Sequence, residues 1–186
     1  GGDVNLIAKI SVSAFASAYA TGPLTAQVTN SGSITAGGDV DLSAIIDVGA
    51  TVSAAGSSSP AGIANAGVFN KGSIDAGGDV NLVASIAALA VPSTLAPGPV
   101  TASGATGNVQ VTNSGSIDAG GGVNLIGSIF LSASGVSFDS LPNADVEIAN
   151  SGSIDAGGDV HLVGSIDALA LNSAMNASVH VANSGD

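Results

Sequence analysis

The sequence contains no cysteine and no tryptophan, and its 186 residues include only two basic side chains, Lys9 and Lys71. Without cysteine the chain can form neither a disulfide framework nor a thiolate metal site. Fourteen acidic residues give it a net charge of −12. Nucleic-acid binding relies on Lys and Arg to neutralise phosphates, so that class of function is excluded. Binding to an anionic membrane surface is disfavoured for the same reason.

Long hydrophobic runs are also missing, although 45% of the residues are apolar. No segment approaches the ~18 consecutive apolar residues that a membrane-spanning helix needs. The apolar residues instead alternate with small polar ones, which is the pattern of β-strands. We therefore expect an all-β protein without membrane insertion.

One motif recurs four times almost unchanged: Asn-x-Gly-Ser-Ile-x-Ala-Gly-Gly-x-Val-x-Leu. The chain also begins inside a copy and ends inside another, so we expect a fragment of a longer repeat protein. The complete copies span 30–42, 70–82, 113–125 and 150–162. The motif's first Asn residues, at 30, 70, 113, 150 and 183, are separated by 40, 43, 37 and 33 positions. Repeats of this length indicate a solenoid.

Alignment of the copies predicts three strands per repeat with one shared inward face. A long strand follows Gly-Gly, a second strand precedes each Asn, and a short third strand carries Ile34 and its equivalents. In the first copy the alternation persists to Ala18, which predicts a strand of ~17 residues, or ~55 Å. Segments 55–65 and 92–108 differ most between copies and are expected to bulge as loops from one corner.

The predicted fold class is therefore an all-β parallel β-helix (β-solenoid) of about five coils, each of 33–43 residues. Each coil contributes one long strand and two shorter ones, and neighbouring coils pair at ~4.8 Å. We treat the chain as one domain. Its approximate coils are 1–36, 37–76, 77–119, 120–156 and 157–186.

Two sets of residues are predicted to shape the corners. The Asn residues should form a ladder of side-chain amides along the axis, and the Gly-Gly pairs should supply positive φ and close backbone approach. The Asn ladder comprises Asn30, Asn70, Asn113, Asn150 and Asn183. The turn glycines are Gly37, Gly38, Gly77, Gly78, Gly120, Gly121, Gly157 and Gly158.

Aspartates repeat in two columns, and like charges at ~4.8 Å repel. A hard cation such as Ca²⁺ would relieve this repulsion with carboxylate ligands. A solvated acidic edge that limits lateral aggregation is the alternative. The calcium-binding β-roll nonapeptide is missing, and Gly122 replaces one Asp, which favours the solvated edge. We predict no other cofactor. The candidate Ca²⁺ residues are Asp75, Asp79, Asp118, Asp155 and Asp159.

Apolar residues are also predicted on the outside of the long strands, where such columns mark contact surfaces. They could be covered by the chain's own loops or by a neighbouring solenoid, and the pattern does not distinguish the two. The predicted outward residues are Ile7, Val83, Leu89, Ile126, Phe130, Val163 and Leu169.

Catalysis finds little support in the sequence. His161 falls in an outward column otherwise filled by Asn or Asp, which favours a surface position over a catalytic base. Asp155 and Asp159 could hydrolyse a polysaccharide as a carboxylate pair. They recur with the repeat, however, which is typical of scaffold positions.

The full motif resembles the haemagglutinin-type repeats of filamentous haemagglutinin and other two-partner-secretion (TpsA-type) adhesins of Gram-negative bacteria. This resemblance covers nearly the whole chain. It implies a right-handed β-helix, export to the cell surface, and a role in adhesion, aggregation or biofilm cohesion. Repeats of that family are often near half the length found here, and its amino-terminal secretion domain is absent from this sequence.

The expected function is thus a non-enzymatic stalk or filament segment of a large extracellular or cell-surface adhesin. Its expected partners are flanking repeats of the same chain, like molecules laterally or end to end, and cell-surface or matrix polysaccharide. The alternatives are a self-assembling extracellular fibre subunit without a specific ligand and, third, a polysaccharide-active β-helix enzyme.

Overall fold

A computed structural model describes eight stretches of the chain: 1–15, 23–52, 63–92, 100–102, 106–133, 136–138, 143–170 and 175–186. Within these stretches the regular structure consists entirely of β-strands. The described part of the chain has no helix long and apolar enough to cross a membrane.

The longest strands begin at the valine after each Gly-Gly turn and form one parallel sheet in the order β1-β4-β7-β11-β15. Valine, leucine and isoleucine at every second position favour this extended, half-buried conformation. Strands are numbered in chain order. The long strands are β1 (Val4–Phe15), β4 (Val40–Val52), β7 (Val80–Pro92), β11 (Val123–Ala133) and β15 (Val160–Ala170).

The second sheet ends at the Asn residues and has the order β16-β13-β9-β5-β2. Its strands are β2 (Leu24–Asn30), β5 (Ile63–Asn70), β9 (Thr106–Asn113), β13 (Asn143–Asn150) and β16 (Asn176–Asn183). The third sheet contains the short strands, in the order β14-β10-β6-β3. They are β3 (Ser33–Ala36), β6 (Ser73–Ala76), β10 (Ser116–Ala119) and β14 (Ser153–Ala156).

The pairing repeats once per turn of the chain, which confirms the predicted parallel β-solenoid of about five coils with three strands per coil. Each motif position pairs with the same position of the next coil: Val4 with Val40, Val40 with Val80, and so on through the long sheet. A slip of one residue would turn every inward side chain outward, so the apolar pattern fixes this register.

The core lies between the three sheets and is continuous along the axis. Leu42, Leu82 and Leu125 occupy the same height in successive coils, and each has no solvent exposure. In the first coil the equivalent Leu6 is 39% exposed, because a neighbouring coil covers it on one side only. Burial in this fold therefore comes from neighbouring coils more than from the coil itself.

The first long strand is described as far as Phe15, and its predicted extension to Ala18 lies outside the described residues.

The two segments that were predicted as loops differ in part from that prediction. Segments 55–65 and 92–108 are not loops throughout, because β5 begins at Ile63 and β9 at Thr106. An additional pair of short parallel strands, β8 (Val100–Ala102) and β12 (Val136–Phe138), also went unpredicted. The remainder of both segments is outside the described part.

The core compensates large residues on one sheet with small residues on another. In the second coil an alanine, Ala44, lies in the long sheet and a second alanine, Ala66, in the second sheet. The equivalent residues are Ala84 and Val109 in the third coil, and Gly127 and Val146 in the fourth. A Cβ atom at Gly127 would lie 3.0 Å from Cγ1 of Val146 and 2.6 Å from Cδ1 of Ile148. Ile148 stands where the other coils have valine, so the glycine leaves room for this larger residue as well as for Val146.

We predict that Gly127→Ala lowers the free energy of unfolding by about 1–3 kcal/mol, because the added methyl group overpacks a closed core. Adding Ile148→Val restores the residue that the other coils have at the position nearest to the added methyl group, and should recover part of this loss. A double-mutant cycle by chemical denaturation measures the effect. Losses that simply add in the double variant would contradict the compensation.

Candidate functional site: the hydrogen-bond ladders of the corners

Asparagine side chains form a continuous ladder at the corner between the second and third sheets. Each Nδ2 donates to Oδ1 of the Asn in the next coil, always toward the C-terminus. The four bonds measure 2.8 Å (Asn30 to Asn70), 2.7 Å (Asn70 to Asn113), 2.8 Å (Asn113 to Asn150) and 2.9 Å (Asn150 to Asn183).

The ladder consists of polar side chains that are buried in all but the last coil. Asn70 and Asn113 have no solvent exposure, so a missing partner would leave an amide group without hydrogen bonds in an apolar interior. Nδ2 also donates to a backbone carbonyl one coil on, as from Asn30 to Ser73 at 3.2 Å. The amide carries donors and an acceptor on one short side chain, and this allows identical residues to satisfy one another in a stack.

A third set of glycines, which sequence reasoning overlooked, lies two residues after each Asn. A Cβ atom at Gly72, Gly115 or Gly152 would collide with the backbone carbonyl oxygen of the equivalent glycine in the preceding coil. The signal was present in the sequence, because every copy of the motif has glycine at this position. Direct backbone stacking at this corner therefore excludes any side chain.

The Gly-Gly pairs serve close approach but not positive φ, so that part of the prediction was wrong. None of the eight turn glycines has φ in the left-handed region. At the first glycine of a pair, a Cβ on Gly77 would lie 2.5 Å from the carbonyl oxygen of Gly37. At the second, a Cβ on Gly78 would collide with Oδ1 of Asp39. Glycine is needed because the preceding coil occupies the space of the side chain.

The aspartates after the turn form a ladder of their own with the backbone. Asp39 N–H donates to Oδ1 of Asp3 (3.1 Å), Asp79 N–H to Oδ1 of Asp39 (2.8 Å), and Gly122 N–H to Oδ1 of Asp79 (2.7 Å). Backbone amides thus compensate part of the negative charge for which the sequence suggested a cation. Gly122 has no carboxylate of its own to offer the next coil, so this ladder ends in the fourth coil.

The other aspartate column runs along the outside of the short strands. Asp118 pairs in register with Asp75 on one side and Asp155 on the other, and all three side chains are exposed. In the described residues no group of three or more His, Cys, Asp or Glu side chains is arranged to hold a metal ion. Ca²⁺ binding by these residues, with Asp79 and Asp159, stays a prediction.

Further side-chain hydrogen bonds join neighbouring coils on the outside of the solenoid. Nδ2 of Asn81 donates to Oδ1 of Asp41 (2.7 Å), and Nδ2 of Asn124 donates to Oδ1 of Asn81 (2.8 Å). His161 is next in this column, exposed and opposite Asn124. On the second sheet Nδ2 of Asn108 donates to Oδ1 of Asn65 (2.8 Å). These polar groups recur with the repeat and support stacking.

The outer surface of the long sheet also has a shallow cleft of about 320 Å³. Its lining includes the small residues Gly49 and Ala87, the larger Leu89 and Phe130, and one carboxylate residue, Asp47. Leu89 and Phe130 are 46% and 40% exposed, so the predicted apolar surface is present in this region. The cleft lining is predominantly apolar, which suits contact with another apolar surface better than it suits acid–base chemistry.

These features define a β-solenoid whose recurring polar residues hold successive coils together. No protein-family model matches the chain, and no curated protein or solved structure matches it either. The resemblance to haemagglutinin-type repeats therefore stays a sequence-based prediction.

We predict that Asn113→Ala is strongly destabilising, because it leaves the amide groups of both Asn70 and Asn150 without a ladder partner. Each unsatisfied buried group costs about 1–3 kcal/mol. Asn183→Ala is the matched control at the exposed end of the same ladder, and its loss should stay below about 1 kcal/mol. Chemical denaturation of both variants provides the comparison. Equal losses would contradict a buried, coupled ladder.

We also predict that Gly78→Ala destabilises the chain more than Gly158→Ala. The first places a methyl group on the Asp39 carboxylate, whereas the nearest atom at Gly158 is the Gly122 backbone nitrogen, 3.1 Å away. Removing the carboxylate with Asp39→Ala should recover part of the Gly78→Ala loss, which we expect at about 1–3 kcal/mol. Thermal unfolding of Gly78→Ala, Gly158→Ala and the double variant with Asp39→Ala tests this. A double variant that is no more stable than Gly78→Ala would show that contact with the carboxylate does not cause the loss.

Proposed function

We propose that this chain is a non-enzymatic structural segment of a large bacterial surface or extracellular adhesin, acting as a rigid stalk or filament body. The observation that carries the proposal is the uninterrupted recurrence of the polar corners from coil to coil. The Asn ladder passes through all five coils. A catalytic cleft needs residues that depart from the repeat, whereas a scaffold needs residues that reproduce it.

The mechanism of such a segment is mechanical. Successive coils among the first four are joined by three parallel strand pairings, and the fifth coil is joined to the fourth by two. The Asn ladder joins the coils at one corner, and the carboxylate–amide bonds extend to the fourth coil at another. Bending the solenoid would have to stretch hydrogen bonds and open the apolar core on the same side. Because both run along the axis, the stability grows with each added coil in the manner of repeat proteins.

The biological setting in this proposal comes from the sequence resemblance. We propose export by a Gram-negative bacterium and a role in adhesion, cell–cell aggregation or biofilm cohesion, with cell-surface or matrix polysaccharide as a candidate partner. The net charge of −12 supports a hydrated, soluble stalk that resists nonspecific association with anionic surfaces.

A self-assembling extracellular fibre subunit is the second candidate, because equivalent residues stack in the same register from coil to coil and the same stacking would serve between molecules. Val160, Val179 and Val181 of the fifth coil are 44–47% exposed, although their equivalents in the middle coils are buried. A further coil of matching register would cover them, whether it belongs to the same chain or to another molecule.

We expect an antibody against this segment to detect, in fractionated source cells, a protein far larger than 17.4 kDa in the surface or secreted fraction. Deletion of the gene should reduce cell aggregation or biofilm mass, and complementation should restore it. An antibody against a cytosolic protein is the fractionation control.

The alternative outcomes have distinct meanings. A secreted band near 17.4 kDa would favour the fibre subunit over the adhesin. A cytosolic band would contradict both proposals. Normal aggregation and biofilm mass after gene deletion would contradict the cohesive role while leaving the structural one intact.

A further inference from the structure

The outer surface of the long sheet, here called the long face, concentrates exposed apolar side chains. It consists of the outward residues of β1, β4, β7, β11 and β15. One column runs through Val83, Ile126 and Val163 in register. The exposed large apolar residues of this face are Ile7 (64%), Leu89 (46%), Phe130 (40%), Val163 (45%) and Leu169 (55%).

The other two faces have a different chemistry. Outward positions of the third sheet hold serine with threonine or aspartate, as in Ser116 and Asp118. Outward positions of the second sheet are mainly Thr, Asn, Gln, Asp and Glu, and several bond to one another, as Gln110 does to Glu147 (2.9 Å). Among its described outward positions Ile63, 43% exposed, is the one exposed large apolar residue, against five on the long face. Among the described residues, a ligand or partner with an apolar surface is therefore best accommodated by the long face.

Charge also distinguishes the long face on this acidic chain. Lys9 lies on it and binds Asp47, with 3.1 Å between Nζ and Oδ2. Asp41 on the same face accepts the Asn81 amide at 2.7 Å. The third sheet, in contrast, presents three aspartates in register, and among the described residues none of the three forms an ion pair. Asp167, paired with Phe130, also lies on the long face, so three aspartates and one lysine give its described residues a net charge of −2, against −3 from the three aspartates of the third sheet. Two copies of this chain would therefore repel each other less through their long faces than through their third sheets.

The size and shape of the long face suit such a contact. Its shortest strands have 11 residues, or roughly 36 Å, and five strands span roughly 24 Å, giving roughly 850 Å². A stable interface typically buries about 800 Å² per partner. The cleft over Gly49 and Ala87 provides space for a protruding side chain such as Phe130 of a second copy.

We propose that two copies of this chain pack long face against long face, with β7 of one copy crossing over β7 of the other. The two sheets would lie about 10 Å apart, the spacing of packed β-sheets. This inference rests on the proposed structural role and names a partner for it. Lateral pairing would thicken the stalk and bury the apolar columns while the acidic faces stay hydrated.

The test is the mass of the purified 186-residue chain in solution, measured by light scattering and sedimentation over a range of concentrations. We expect twice the chain mass of 17.4 kDa at high concentration. Phe130→Glu should weaken the pairing at least tenfold. Gln27→Glu, at an exposed position on the second sheet, adds the same charge and should leave the pairing unchanged.

A second measurement does not depend on the tolerance of Phe130 to substitution. The chain has no cysteine, so a single introduced thiol reports its own surroundings. Ser85→Cys lies on β7 at the centre of the long face, and Thr112→Cys lies near the end of β9, the middle strand of the second sheet. A bismaleimide of about 10 Å should crosslink the first variant into dimers much faster than the second.

The outcomes separate the pairing from the structural role. A chain that stays monomeric up to millimolar concentration would overturn the pairing, but a β-rich circular dichroism spectrum would leave the scaffold proposal standing. Dimers or larger assemblies that are unaffected by Phe130→Glu, with equal crosslinking of both thiols, would also overturn it and point to contact through the coil ends.

Discussion

Every feature of this fold depends on one constraint: each residue must be compatible with its equivalent in the next coil, about 4.8 Å away. The parallel pairing has no offset along the long sheet, so valine lies on valine and leucine on leucine. Apolar residues meet this constraint by packing, and glycines meet it by having no side chain. Polar residues meet it only where they can bond to a copy of themselves or to the backbone.

The corners show how differently two polar residues satisfy the constraint. Asparagine both donates and accepts, so in a buried stack such as Asn70 on Asn113 each side chain bonds to its copy in the next coil, and its second N–H goes to a backbone carbonyl. Aspartate has only acceptors when ionised, and Asp39 therefore binds the backbone N–H of Asp79 instead of its side chain. That geometry places a carboxylate over the second glycine of the next turn, so the Asp and Gly-Gly positions of the motif depend on each other across coils.

The corner ladder, the core and the exposed long face together support a structural role for the chain. The core and the ladders consist of residues that recur from coil to coil, whereas the residues that vary lie mainly on the outside of the sheets. On the long face the column of Ser11, Asp47 and Ala87 leads to Phe130, so adjacent coils present different side chains to the outside. Variation of this kind allows a uniform scaffold to carry a specific contact surface.

Much of this could be predicted from the sequence, because the repeat by itself aligns each residue with its equivalents in the neighbouring coils. The period, the strand alternation and the recurring Asn and Gly-Gly together determined the solenoid class, the three strands per coil and the inward columns. The sequence did not determine the reason for the turn glycines, because close contact with the preceding coil cannot be distinguished from positive φ by residue type. Only the tertiary structure decided that Asp39 bonds to a backbone amide and that Gly127 leaves room for Val146 and Ile148. Both depend on distances between residues of different coils or different sheets, and the spacing of residues along the sequence does not give those distances.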